Sequence, residues 1–411
     1  MIKKVDIIRP CSINAIVGPI GTLKRIIKNR DYFKGRGYDP SLFVNESMTL
    51  GRPVDVSDIK IPQRDGRPKS FRRRVYSKLL LWGKHCYPLA CLLMKNFDRV
   101  QKRLTDYYIS LDRTPDIVEF HSEVESYHYL KNRREKKAKT VVFLHSDGIP
   151  FAMDLVYFPC LKNSRFHKNR WKKIVWTMEN VDHIVFIAKK GQNNFLKSFP
   201  SVNIEKTTVM LNGIDDLTVE QLKEVAATKQ LSNGFKYRFC CTGTINTRKG
   251  HLFIVEALHC IDYEKLRDIH VSFLGDGPQR EPLEELVKNY GLEHNITFEG
   301  SIPNEQVYKH LAEANIYILM SINEGLPISI IEAMRAGLPI ISTKVAGIPE
   351  IVTDHYNGLL LEPSTEELIP VLNNLGDYDW SKMGQNSRCR FENELTFDRM
   401  MRDFCDMFDK L

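Results

Sequence analysis

In the second half of this chain, short apolar runs alternate with longer amphipathic segments, and that rhythm narrows the fold more than any other feature. The runs are Tyr237–Cys241, His270–Leu274, Ile296–Phe298, Ile316–Met320, Pro339–Ser342 and Gly358–Leu361. They have the length of strands, bounded by turn residues. Between them lie Gly250–Cys260, Gln279–Tyr290, Asn304–Ala314 and Ile328–Ala336, which read as amphipathic helices. Strands alternating with helices predict an α/β fold with a parallel, doubly wound sheet. Gly-Asp-Gly-Pro at 275–278 and Ala-Gly-Leu-Pro at 336–339 punctuate the turns between them.

The first half keeps the rhythm with longer inserts. Strands are expected at Val5–Arg9, Ile117–Phe120, Thr140–Leu144, His183–Ile187 and Thr207–Met210. Asp55–Ser70 is polar, holds Pro62 and Pro68, and reads as a mobile loop. A basic amphipathic region follows from Phe71 to about Leu111. Asn212-Gly213-Ile214-Asp215 is turn chemistry after a strand, and Asp216–Gly234 reads as helix or linker. With 411 residues, the chain exceeds one ordinary core. Two domains are therefore expected, residues 1–215 and 216–391. Leu395, Phe397, Met400, Phe404 and Phe408 put a greasy face on one further helix over about 392–411, expected to pack back on the first domain.

Charge separates the halves. Residues 1–215 carry 40 Lys+Arg against 21 Asp+Glu, and the remainder 19 against 30. A basic first half implies something anionic to meet. No nucleic-acid-binding module or RNP-like aromatic motif accompanies it, so no nucleic acid partner is expected. Nine cysteines show neither metal nor redox spacing, which fits a reducing cytoplasm. Asp6 and Arg9 interrupt the opening apolar run, so no secretory leader is expected. Leu79–Met94 is broken by Lys84 and Pro88, short of the roughly 20 apolar residues a bilayer span needs.

Glu324 stands just past the run Ile316–Met320, at the carboxyl end of a strand, where open parallel sheets bind ligands. Gly325-Leu326-Pro327 turns the backbone tightly, and Pro327 suits the first position of a helix. Backbone N–H groups at that helix start form a cradle for phosphate. Glu332 lies about one turn further in. Two carboxylates flanking such a cradle can accept hydrogen bonds from sugar hydroxyls; a surface turn with a solvated Glu is the alternative. The segment 241–250, Cys-Thr-Gly-Thr-Ile-Asn-Thr-Arg-Lys-Gly, brings Arg248 and Lys249 to the same sheet edge. Two fixed cations can neutralise a pyrophosphate without a metal, each charge-assisted hydrogen bond contributing roughly 1.5–3 kcal/mol. Asp377-Tyr378-Asp379 mimics a metal-binding DxD but lies far past the last strand and reads as surface.

The stretch Asn323–Thr343, followed by Gly347-Ile348-Pro349-Glu350-Ile351-Val352 and Asn357-Gly358-Leu359-Leu360, resembles the C-terminal half of glycosyltransferase family 4. The segments 243–250, 274–278 and 298–300 fall in that family's order. The resemblance covers about residues 205–365 and is weaker but collinear before them. It implies a GT-B architecture of two Rossmann-like domains facing a cleft, and retaining transfer from a nucleotide-diphosphate sugar without metal or other cofactor. By this resemblance Glu324 contacts the donor sugar, Glu332 holds the ribose, the amides of Gly325 and Leu326 approach the diphosphate, and Lys249 neutralises it. Many members carry Arg directly after the glycine at 243; this chain has Thr244, and Arg248 is the candidate replacement.

The family places a histidine near the donor sugar where His145 ends the run Thr140–Leu144. Its carbonyl and ring could stabilise positive charge at the anomeric carbon. His121 and Asp147 are weaker candidates. Gly18 and Gly21 resemble the glycine loop after the first strand, with an ordinary turn as the other reading. No carboxylate stands out as a nucleophile, so front-face departure and attack is favoured, with the diphosphate helping to deprotonate the acceptor and domain closure excluding water.

Arg64, Arg67, Lys69, Arg72, Arg73, Arg74, Lys78 and Lys84 surround Phe71, Leu79–Leu81 and Trp82. A second cluster holds Lys162, Arg165, Lys168, Arg170, Lys172 and Lys173 around Trp171. Such interleaving suits an anionic membrane surface, at around 1 kcal/mol per cation; a solvated basic face is the alternative. The expected enzyme is thus cytoplasmic, peripheral where it meets lipid. It moves a hexose-type sugar to a glycan or lipid-linked acceptor in cell-surface polysaccharide synthesis. The other readings are a nucleotide-sugar epimerase of the same fold and a non-catalytic binder of an anionic ligand.

Overall fold

The structure, a computed structural model, describes residues 2–15, 20–59, 79–80, 82–134, 136–229 and 234–411. The chain forms two units. Residues 1–187, 191–210 and 401–411 make the first, and residues 188–190 and 211–400 the second.

The first unit is built on six strands, β1 (Lys3–Ile8), β2 (Tyr38–Phe43), β3 (Ile117–Phe120), β4 (Lys139–Leu144), β5 (His183–Phe186) and β6 (Thr207–Val209). Their order is β2-β1-β3-β4-β5-β6, every pairing parallel. β3, β4 and β5 are buried along nearly their whole length, which is why they read as apolar runs. β2 escaped that reading because Pro40 interrupts it. Proline removes a ladder donor and is tolerated on edge strands, and β2 is the edge of this sheet.

The second unit repeats the plan with β7 (Tyr237–Thr242), β8 (Ile269–Leu274), β9 (Ile296–Gly300), β10 (Ile316–Leu319), β11 (Ile340–Thr343) and β12 (Gly358–Leu361). All pairings are parallel, in the order β12-β11-β10-β7-β8-β9. From β7 the chain winds outward to β9, then returns to the opposite flank with β10. The strand order therefore reverses between β7 and β10, and the crevice at their carboxyl ends is where such sheets take ligands. Both expected halves of the α/β, doubly wound reading are present.

The expected single helix over 392–411 is two. A helix Trp380–Glu394 ends before a second begins at Phe397–Asp409. The break is extended because Ile214 pairs with it: its N–H donates to the Leu395 carbonyl (3.1 Å) and its carbonyl accepts from Phe397 (2.9 Å). Phe404 of the last helix stacks on Phe143 at 5.2 Å and edges Phe33 at 6.4 Å, inside the first unit. Asp216–Gly234 contains a helix at Val219–Lys229. Of the expected loop and basic region at 55–111, residues 60–78 and 81 lie outside the described residues. Val56–Asp58 forms a short 3-10 turn and Tyr87–Ser110 a long helix.

Candidate functional site

In the second unit the loop after β7 and the loop after β10 are clasped together. Thr247–Lys249 forms a 3-10 turn whose N-cap, Asn246, accepts from the Lys249 N–H at 3.1 Å. Gly250 follows with φ +68°, and a Cβ there would lie 1.8 Å from the Met320 carbonyl oxygen. Only glycine allows that approach. The Arg248 carbonyl accepts from the Ile322 N–H at 2.9 Å, and Arg248 Nη1 donates to the Asn323 carbonyl at 2.8 Å.

Glu324 sits where this clasp closes, 7% exposed. Lys249 Nζ lies 2.7 Å from Oε1 and Arg248 Nη1 2.8 Å from Oε2, while Ser321 Oγ donates to Oε1 at 2.8 Å. Burial alone would push this carboxyl up. The charges of Lys249 and Arg248, with hydrogen bonds from Lys249 and Ser321, outweigh it and hold Glu324 below its ordinary value. Ser321 is anchored in turn, its carbonyl accepting from Thr343 Oγ1 at 2.6 Å. The structure thus joins Arg248, Lys249 and Glu324, two expected phosphate contacts and one expected sugar contact, into a single ion cluster at the switch point.

Past Glu324 the backbone turns through Gly325 and Leu326 into the helix Ile328–Arg335. Pro327 is the N-cap of that helix, not its first residue as expected, with extended ψ of 116° and no side-chain cap. The peptide N–H groups of the first turn therefore have no capping side chain, the condition that favours anions at a helix start. Glu332 is half-buried on the same helix, one turn in, and Thr244 is exposed on the loop after β7. His251, unremarked in the sequence, begins the next helix. It is buried, its ring nitrogens find no hydrogen bond among the described residues, and desolvation followed by the Lys249 charge pulls it down to about 3. It is neutral beside the cations.

In the first unit, His145 follows β4 and meets His121, which follows β3. His121 Nδ1 and His145 Nε2 are 2.7 Å apart, with the rings stacked at 5.0 Å and 17°. His121 is therefore tied to His145, a link its sequence position did not reveal. Asp147 is a turn former, its Oδ1 accepting from the Ile149 N–H at 3.3 Å. Gly21 lies in the first turn of the helix Ile20–Lys28. Gly18 lies outside the described residues.

Two further expectations change. Arg170 is no surface cation; its side chain is 8% exposed and grips Asp98 at 2.6 and 2.7 Å. Trp171 stacks on Phe199 at 5.0 Å. Lys162, Arg165, Lys168, Lys172 and Lys173 are exposed or half-buried, and Lys84 is exposed. Asp379 caps the helix Trp380–Glu394 by accepting from the Lys382 N–H at 2.9 Å. Among the described residues no group of three His, Cys, Asp or Glu could hold a metal, and no helix is long and apolar enough to cross a membrane.

Residues 223–375, the part bearing the ion cluster, match the family described as glycosyl transferases group 1. The whole chain superposes on the GT-B structure of HepE from Anabaena, solved in complex with UDP, with a TM-score of 0.64, 14% identity and full coverage of both chains. Sucrose-phosphate synthase from Thermosynechococcus elongatus gives a TM-score of 0.69 at 17% identity, over 99% of this chain and 98% of that one. The two-sheet α/β fold is therefore that of GT-B glycosyltransferases.

Among relatives by sequence, an uncharacterized glycosyltransferase of Methanocaldococcus jannaschii is 25% identical over 61% of this chain and 63% of its own length. The gpi3 component of the phosphatidylinositol N-acetylglucosaminyltransferase of Schizosaccharomyces pombe is 30% identical over 50% of this chain and 43% of its own. The chain thus spans less than two thirds of the archaeal relative and less than half of the Schizosaccharomyces one. Residues 223–375 thus resemble glycosyl transferases group 1, and the fold is that of GT-B structures.

Proposed function

We propose that this protein is a retaining glycosyltransferase that moves a hexose-type sugar from a nucleotide-diphosphate donor to a hydroxyl of a glycan or lipid-linked acceptor. The observation that carries the reading is Glu324, buried at the β7/β10 switch point between Lys249 and Arg248 and followed by an uncapped helix start. A sugar diphosphate asks for this combination. Its hydroxyls donate to a carboxylate, and its phosphates accept from cations and peptide N–H groups.

In this reading Lys249 neutralises the diphosphate, and Arg248 supplies the cation that Thr244 cannot. The Gly325 and Leu326 amides approach the phosphates, Glu324 accepts from the sugar and Glu332 from the ribose. His145 is assigned to the sugar's anomeric end. The departing diphosphate takes up the acceptor's proton as the new bond forms on the same face, so neither metal nor other cofactor is required. UDP-glucose is the first donor to try, because the HepE structures hold UDP and UDP-glucose.

The acceptor is assigned to the first unit, which we place at an anionic membrane face during polysaccharide synthesis. Trp82 is 67% and Leu92 64% exposed there, with Lys84, Lys95 and Arg99 exposed or half-buried nearby in sequence. The test of function is a panel of nucleotide sugars with glycan and lipid-linked acceptors. Release of nucleoside diphosphate that requires both donor and acceptor supports transfer. Conversion of the donor into its epimer with no acceptor refutes it, as does silence with every donor.

A further inference from the structure

Glu119 is out of place by every rule of strand burial. It lies on β3, inside a parallel sheet, opposite Ile7 on one side and Val141 on the other, and its side chain is fully buried. Neither carboxyl oxygen, nor His121 Nε2, has an aligned hydrogen bond among the described residues. One ring nitrogen is within reach: His121 Nε2, 2.9 Å from Oε1. His121 comes two residues later, just past the end of the strand, with the Phe143 ring at 5.2 Å and the His145 ring at 5.0 Å. A buried carboxyl that does nothing costs several kcal/mol or more, since its polar atoms go uncompensated. The imidazole it meets leads, through 2.7 Å, to His145.

We propose that Glu119 and His121 are positioning residues, forming a buried Glu119–His121–His145 chain that sets which tautomer His145 presents to the donor sugar. The proposal rests on the assignment of His145 to the donor.

Each link carries one proton, so the chain has two ordered arrangements. With Glu119 ionised, His121 Nε2–H points to the carboxylate, His121 Nδ1 accepts from His145 Nε2–H, and His145 Nδ1 keeps its lone pair. With one proton added, Glu119 O–H points to His121 Nε2, His121 Nδ1–H points to His145 Nε2, and His145 Nδ1 carries a proton. The first arrangement offers the sugar an acceptor able to stabilise positive charge. The second offers a donor.

The surroundings keep both rings neutral. Desolvation first, then repulsion from His145 whenever that ring is protonated and from the Arg9 charge, pull His121 well below its ordinary value, and desolvation and Arg9 pull His145 down to about 3. Burial pushes Glu119 up to about 8. The other charged groups facing the chain are Arg9, whose Nη1 donates to the His121 carbonyl at 3.2 Å, and Glu125, 3.6 Å from that same Arg9 atom and pushed up by burial to about 7. Glu125 also accepts from the His121 backbone N–H at 3.4 Å, so it touches the peptide and not the ring.

The experiment is a long-range nitrogen–proton correlation spectrum of the histidine side chains in the intact protein, from pH 6 to about 9.5, with His145→Gln and His121→Gln spectra for assignment. The expected result is that His145 moves from the Nδ1–H to the Nε2–H tautomer as pH rises, without becoming cationic. In Glu119→Gln, which keeps shape and removes the titrating proton, His145 stays in one arrangement throughout. Turnover with the best donor should rise about tenfold over the same interval, the worth of one hydrogen bond, and become flat in Glu119→Gln.

A His145 tautomer indifferent to pH in the parent overturns the chain, and that spectrum needs no variant to fold. So does a Glu119→Gln protein whose His145 titrates as the parent does. Tautomer switching with no turnover of any nucleotide sugar leaves the chain standing and sinks the proposed function. Turnover with an unresponsive His145 does the reverse.

Discussion

Replacing Glu324 by Gln isolates what the ion cluster does for the fold. The amide keeps the shape and can still accept from Ser321, so the change is one of charge. Lys249, whose side chain is 11% exposed, is left buried without its counter-charge, whereas Arg248, at 26%, can turn to water. Stranding one member of a buried pair costs roughly 3–5 kcal/mol, and a partly solvated pair contributes about 0–1. Lys249 therefore dominates, and about 3 kcal/mol is the expected loss in the second unit.

Because the chain has two units, one global melting temperature would blur this loss. Hydrogen exchange read on peptides covering β7 and β10 reports the second unit directly. Opening there should quicken roughly a hundredfold, the equivalent of about 3 kcal/mol. The sign with pH follows from the depressed Glu324 carboxyl. A folded value below the unfolded one stabilises the protein above the unfolded value of about 4.3, and that contribution disappears as pH falls through the folded value. The gap between parent and Glu324→Gln should therefore be full at pH 7 and shrink in acid below about pH 4. Equal exchange at pH 7, or a gap that widens in acid, would refute the reasoning.

Arg248→Ala should cost the second unit no more than about 1 kcal/mol while weakening donor binding, checked by the same exchange experiment and by calorimetry. Gly250→Ala places a methyl 1.8 Å from the Met320 carbonyl at a left-handed φ; beyond the roughly 1–2 kcal/mol of left-handed strain, the two loops must part, and donor binding should disappear with soluble yield reduced. Arg170→Leu leaves Asp98, whose side chain is 34% exposed, free to turn to water, so exchange on β4 peptides should quicken by the equivalent of no more than about 1 kcal/mol. Vesicles of anionic lipid should carry the protein upward on flotation at low salt and release it at high salt; no flotation at low salt removes the membrane from the account.

What was legible in the sequence was whatever depends on neighbours in the chain. β7, β8, β10 and β12 announced themselves because both their faces are largely buried, leaving unbroken apolar runs between turn residues. β2 did not, since an edge position lets a strand hold Pro40. The break at Leu395–Thr396 was invisible because its cause, Ile214, lies far back in the chain. The same holds at the site. Glu324, Lys249 and Arg248 were each visible as candidates, but their union depends on Gly250 meeting Met320, a contact between segments far apart in the chain. Glu119 stood unremarked inside the expected strand Ile117–Phe120. Its spacing of two from His121 was the available clue; the rank of His145 above His121 concealed it.

On the proposed function, the β7/β10 crevice holds a nucleotide-diphosphate sugar through Glu324 and its two cations. Isothermal titration of the intact protein with UDP-glucose, GDP-linked and other nucleotide sugars, repeated on Glu324→Gln and Lys249→Ala, tests it most directly. At least one nucleotide sugar should bind saturably. Glu324→Gln should weaken that sugar nucleotide far more than the bare nucleoside diphosphate, and Lys249→Ala should weaken both. Equal losses for sugar nucleotide and bare diphosphate in Glu324→Gln, or no binding of any nucleotide sugar at millimolar concentration, would contradict it.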